Sequence, residues 1–131
     1  MAYLLDADIC IYAMAQTCPR LNQRIERAGR AVSISSIVLA ELCFGFDRSE
    51  RRAANWRRLT EFLRYVEVRD FDAKAARQYG EIRTHLERLG TPIGGNDMLI
   101  AAHARALDMT LVTNNRRAFD RVPDLAVENW L

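Results

Sequence analysis

Short apolar runs alternate with helical periodicities along the chain. Tyr3-Leu4-Leu5 is a compact apolar run ending at Asp6, which suits a buried strand. Ile9 to Gln16 reads as a helix, halted near Cys18-Pro19. Leu21, Ile25 and Ala28 recur at helical spacing, with Gly29 as a stop signal. Val32 to Ser35 alternates like a strand. Ser36 is then a plausible N-cap for a helix through Ile37, Leu39, Leu42 and Cys43 that ends at Gly45. A charged helix spans Glu50–Arg64, with Trp56, Leu59, Phe62 and Leu63 on one face. Val66-Glu67-Val68 alternates as a third strand. Asp72 can cap a long helix through Tyr79, Ile82, Leu86 and Leu89, closed by Gly90. Gly94-Gly95 precedes a helix from Asp97 to Leu107. Thr110 to Thr113 is a strand, and Leu125 to Val127 forms a last short one.

Strands separated by helical stretches imply parallel pairing, hence an α/β domain with a central, mostly parallel sheet flanked by helices. In such sheets the functional crevice lies beyond the carboxyl ends of the strands. Asp6, and Asn114-Asn115 after Thr113, occupy strand ends of this kind.

Length and composition narrow the picture. At 131 residues the chain reads as one domain, 1–131, large enough to bury about two thirds of its unfolded surface. Charge is nearly balanced, 19 basic residues against 17 acidic, which excludes a disordered chain or a polybasic tail protein. The longest uncharged runs, Ile9–Pro19 and Ala31–Ala40, are too short to span a membrane, and Asp6 and Asp8 argue against a signal peptide. The expected location is cytoplasmic. Three cysteines, Cys10, Cys18 and Cys43, lack Cys-x-x-Cys spacing and read as reduced thiols rather than a zinc cluster.

Three acids stand in apolar surroundings. Asp6 follows Tyr3-Leu4-Leu5, Glu41 lies within Ile37–Phe44, and Asp97 precedes Met98-Leu99-Ile100-Ala101-Ala102. Two carboxylates ~4 Å apart repel by roughly 4 kcal/mol at an effective dielectric near 20, so a cluster calls for a compensating cation. Hard oxygen donors suit Mg²⁺ or Mn²⁺. Each acid also has a plainer use: Asp6 as a helix N-cap, Glu41 as an arginine partner, Asp97 as a favourable charge at a helix start.

These same residues carry a resemblance to a known family. Leu4-Leu5-Asp6-Ala7-Asp8-Ile9, then Ser35-Ser36-Ile37-Val38-Leu39-Ala40-Glu41-Leu42 with Gly45, resemble the first two motifs of PIN-domain ribonucleases, specifically the VapC-type toxins of bacterial toxin–antitoxin operons. Pro92 to Ala104, containing Asn96-Asp97, resembles the third motif, and Leu111-Val112-Thr113-Asn114-Asn115 with Phe119 the fourth. The resemblance covers essentially the whole chain. It implies a PIN-like domain with Asp6, Glu41 and Asp97 as metal-binding and catalytic acids, and Mg²⁺-dependent (or Mn²⁺-dependent) cleavage of structured RNA, transfer RNA prominently. It also implies a cognate antitoxin and a homodimer.

Two departures from the family pattern stand out. Ala7 replaces the usual hydroxyl residue, and Asp8 adds a fourth acid. Asn115 stands where many relatives carry an acid, so Asp8 could compensate for the missing charge. Asp8, Asn114 and Asn115 are therefore supporting candidates, and Arg116, Arg117 and Arg121, just beyond the fourth motif, are candidate contacts for RNA phosphates. The arginines of the Glu50–Arg64 helix read as a solvated face. His103 reads as a packed core histidine, and Trp56, Phe62 and Phe119 as core. Two other functions compete: a PIN module that mainly binds an antitoxin, and a haloacid-dehalogenase-like phosphatase using Asp6 and Asp8. The phosphatase needs a phosphate-binding lysine, and Lys74 is the single lysine of the chain.

Overall fold

The computed structural model describes all residues, Met1–Leu131. Five strands form one sheet: β1 (Tyr3–Leu5), β2 (Val32–Ser35), β3 (Glu67–Arg69), β4 (Thr110–Val112) and β5 (Val127–Glu128). Their order is β3-β2-β1-β4-β5 and every pairing is parallel. Parallel neighbours need crossovers, and seven helices supply them: α1 (Ala7–Ala15), α2 (Pro19–Ala28), α3 (Ser36–Asp47), α4 (Arg52–Phe62), α5 (Ala73–Leu89), α6 (Gly95–Ala106) and α7 (Arg116–Phe119). The expected α/β architecture is the one observed.

Leu4, Leu5, Ile34, Leu111 and Val112 are fully buried in the sheet. Such uninterrupted apolar strands belong to a sheet covered by helices on its faces. The buried faces of α5 and α6 present Ile82, Leu86, Ile100 and Ala104, and Phe119 of α7 is wholly inside.

Several helix boundaries differ from the sequence reading, each for a local reason. The N-cap of α3 is Ser35, not Ser36: the Ser35 hydroxyl accepts the Ile37 N–H at 3.0 Å. Ser36 Oγ accepts from Phe71 N–H instead. Gly45 does not end α3, which continues to Asp47 because Gly45 does not take the positive φ of a helix-closing glycine. Asp97 is the third residue of α6, whose N-cap is Gly94. The last strand lies at Val127–Glu128, slightly later than expected, and α7 was not foreseen. Asp72 caps α5 as read, its carboxylate accepting from Ala75 N–H, and Gly90 closes that helix at φ +67°, a left-handed conformation that favours glycine.

Trp56 and Phe62 pack against the core without entering it. The Trp56 indole N–H donates to Asp47 Oδ1 at 3.3 Å, which holds the ring at the surface edge. His103 is buried as read, with Nδ1 2.7 Å from Ser35 Oγ and its ring edge-on to Phe71. Burial holds its pKa below the ordinary histidine value, against the pull of Asp72. The histidine thus ties α6 to the start of α3.

The strand order creates the site. Chain progression runs from β1 to β2 and β3 on one side, then returns to β4 and β5 on the other. Adjacent strands whose crossovers leave in opposite directions open a crevice at their carboxyl ends, here between β1 and β4.

Candidate active site

Asp6 is the first residue after β1 and caps α1. It is only 7% exposed, and both of its oxygens are held. Oδ1 accepts from Ala7 N–H at 2.8 Å, and Oδ2 accepts from the Thr113 hydroxyl at 2.8 Å. The β1–β4 register, Leu5 beside Val112, brings residue 113 alongside residue 6. The hydroxyl that orients Asp6 therefore comes from Thr113, across the sheet, and the alanine at position 7 leaves that orientation intact. Thr113 is itself fully buried and accepts Asn115 N–H at 3.0 Å.

Glu41 projects from α3 and Asp97 from α6. Both stand near enough to Asp6 to feel its charge. Burial raises the pKa of Asp6, opposed by the Thr113 and Ala7 hydrogen bonds and reinforced by Asp8. Burial also raises Glu41, with Asp6, Asp97 and Asp8 adding repulsion and the Asn96 amide working against them. Asp97 is raised by burial, then by Asp6 and Asp8. Four acids therefore share one field, and Asp8, exposed on α1, contributes to it.

Glu41 Oε1 is buried and has no hydrogen-bond partner. An unpartnered carboxylate oxygen among three other acids is costly unless a cation joins it. The oxygen-only donor set fits a hard divalent ion. The side chains are not drawn into a closed chelate: no three His, Cys, Asp or Glu side chains stand at metal-binding spacing.

Gly94 adds a steric detail that sequence reading missed. A Cβ at this position would stand 3.3 Å from Asp97 Oδ2, so the helix N-cap and the acid approach each other closely. Asn96 and Thr113 were missed too. Thr113 lies within the fourth motif, but its role toward Asp6 comes from the strand register.

The remaining candidates sit outside the acidic cluster. Asn114 is exposed and its Oδ1 accepts from Asn129 Nδ2. Asn115 touches the site only through its backbone N–H to Thr113. Arg116 pairs with Asp120 at 3.6 Å, Arg121 donates to the Pro92 carbonyl before α6, and all three arginines of this segment are exposed. They lie past the carboxyl end of β4, on the crevice side of the sheet.

A cleft of about 560 Å³ runs past Asp8, Glu41 and Asn96 between α1, α3 and α6. A larger cleft of about 670 Å³ lies elsewhere, lined by Met14, Asn22, Ile25 and Phe62, and it holds none of the four acids. Chemistry rather than volume locates the site.

Residues 3–125 match the sequence profile of the PIN domain. The chain belongs to the PIN-domain family. Within that family its similarities point to one branch. It is 46% identical over 132 residues to ribonuclease VapC2 of Rickettsia felis, covering 99% of this chain and 98% of that one. It is 36% identical over 130 residues to a tRNA(fMet)-specific endonuclease VapC of Shigella flexneri, with 99% and 98% covered. The Rickettsia felis VapBC2 complex, solved on a promoter DNA fragment, superposes with a TM-score of 0.95 at 44% identity, covering all of both chains. PIN-domain membership removes the phosphatase alternative.

Proposed function

We propose that this PIN-domain protein is the ribonuclease toxin of a toxin–antitoxin pair, a Mg²⁺-dependent (or Mn²⁺-dependent) endonuclease acting on structured RNA, transfer RNA first. The observation that carries the reading is the acidic set at the β1–β4 crevice, with Asp6 buried, Glu41 and Asp97 half-buried, and Glu41 Oε1 buried and unpartnered. Asp6, Glu41 and Asp97 would hold the cation, with Asp8 adding charge at the rim. A bound divalent ion would supply the activation of water and the charge compensation that phosphodiester hydrolysis needs.

The chain's own residues have separable tasks. Thr113 and the Ala7 N–H hold the Asp6 carboxylate in one orientation, one donor on each oxygen. Gly94 leaves room for Asp97. Raised carboxylate pKa values make an empty site bind protons, so cation and proton compete for it. Arg116, Arg117 and Arg121 offer guanidinium groups to RNA phosphates beside the site. A cognate antitoxin would cover the crevice, and the protein is expected to form a homodimer in the cytoplasm. No helix is long and apolar enough to cross a membrane.

The test is cleavage of total RNA and of purified transfer RNAs with Mg²⁺, Mn²⁺ or chelator, comparing wild type with Asp6→Asn and Asp97→Asn. Metal-dependent cleavage lost in both variants is the expected result. A folded wild-type protein inactive on every RNA would leave only antitoxin binding.

A further inference from the structure

One face of α3 continues beyond Glu41. Glu41, Phe44 and Arg48 follow at spacings of three and four residues, and all three line the 560 Å³ cleft. Phe44 is 65% exposed, although its helix neighbours Val38 and Leu42 are buried. The Arg48 guanidinium lies over the Phe44 ring, 5.0 Å from its centroid. Ile11, from α1, lines the same cleft and is 49% exposed.

A solvent-exposed phenylalanine gains nothing for the fold where it stands, and it stands one helical turn from an acid of the reactive cluster. An aromatic ring with an arginine laid on it is the combination that receives unstacked nucleobases, the ring by stacking and the guanidinium by phosphate or base contact. Arg48 makes no salt bridge with any carboxylate, whereas Arg52 nearby is paired with Asp47. Its charge is therefore free for a polyanion. The cleft is lined by the ring together with two of the four acids, Asp8 and Glu41, and its 560 Å³ has room for a nucleotide.

We propose that Phe44 and Arg48 form a nucleobase subsite that stacks an unpaired base of the RNA next to the cleaved phosphate. This rests on the ribonuclease reading and deepens it: it places the selection of single-stranded, splayed nucleotides on α3. A base on the Phe44 ring sets which phosphate reaches Asp6, Glu41 and Asp97. An antitoxin segment would compete with the base for the same ring.

The test uses the full chain, free of antitoxin, and a transcribed initiator transfer RNA. Steady-state cleavage is measured for wild type, Phe44→Ala, Phe44→Leu and Phe44→Trp. Binding of the same RNA, labelled with a fluorophore, is followed in chelator. Phe44→Ala and Phe44→Leu are expected to weaken binding and raise KM by roughly 5- to 150-fold, with kcat within about twofold. Phe44→Trp, which keeps a π-face, should restore both. Arg48→Ala should weaken binding and flatten its salt dependence. The subsite is overturned if Phe44→Leu behaves as wild type, since plain apolar contact then suffices. It is also overturned if every Phe44 variant cuts RNA normally and loses only affinity for the antitoxin. Failure of the underlying reading shows itself earlier, as a wild-type protein that cuts no RNA with either metal, and it removes the subsite as well. Because the ring is on the surface, thermal melting of the variants should match wild type.

Discussion

Replacing Thr113 by valine isolates one hydrogen bond at the centre of the site. Valine keeps the branched shape in a fully buried position and deletes the hydroxyl 2.8 Å from Asp6 Oδ2. A hydrogen bond to an ionised group is worth about 1.5–3 kcal/mol, and 1.4 kcal/mol is tenfold in an equilibrium. Asp6 retains the Ala7 N–H on its other oxygen, so orientation is loosened rather than lost. Divalent affinity should then fall by roughly 10- to 100-fold, the usual effect of removing a group that orients a metal ligand. The Thr113 bond opposes the burial that raises Asp6, so its loss raises the Asp6 pKa further. The acidic limb of the cleavage profile should move to higher pH. The Asn115 N–H also loses an acceptor, but Asn115 is exposed and water can replace it. Calorimetric titration with Mn²⁺ and a pH–rate profile would measure both effects, with Thr113→Ser as the control that restores the hydroxyl. Unchanged Mn²⁺ affinity in a folded Thr113→Val protein would refute the assignment of Thr113 as the residue that orients Asp6.

Other outcomes follow from the same geometry. Gly94→Ala places a methyl 3.3 Å from Asp97 Oδ2 and should displace that carboxylate by a few tenths of an ångström, lowering cleavage far more than melting temperature. Asp6, Glu41 and Asp97 all have pKa values raised above 3.8, 4.5 and 3.8 respectively, so the folded state holds their protons more tightly than the unfolded chain does. Their contribution to stability is thus present below those values and lost as pH rises through the raised ones. Metal-free protein should melt at higher temperature in mild acid than at neutrality, and Asp6→Asn should flatten that slope; a metal-free melting temperature independent of pH over this window would contradict it. Asp8→Asn should weaken Mg²⁺ binding and lower the pKa values of its three neighbours; if affinity and cleavage are unchanged, Asp8 does not compensate for Asn115. Ser35→Ala removes both the α3 cap and the His103 partner and should cost about 1–2 kcal/mol in denaturant unfolding.

The parts of the molecule legible in the sequence are those encoded locally. Tyr3-Leu4-Leu5 and Thr110 to Val112 announce buried strands, Asp72 and Gly90 bracket α5, and the apolar settings of Asp6, Glu41 and Asp97 mark them as unusual. What was not legible depends on lateral pairing. Thr113 acquires its role from a register between strands 107 residues apart in sequence. Ser35 displaces Ser36 as cap because only one of two adjacent serines can face the first turn, and the other is turned toward Phe71. The exposure of Phe44 depends on which face of α3 the sheet covers, and a pattern with apolar residues all round does not reveal that face.

The pairing of β1 with β4 has a consequence for the newborn chain. Asp6 emerges from the ribosome early, while Asp97 and Thr113 follow near the far end of the sequence. β1 has one of its two neighbours only after β4 is synthesised, and long-range parallel pairing forms late in folding. Through most of its synthesis the polypeptide therefore carries an incomplete crevice. The acidic crevice is completed only as the last strands close the sheet.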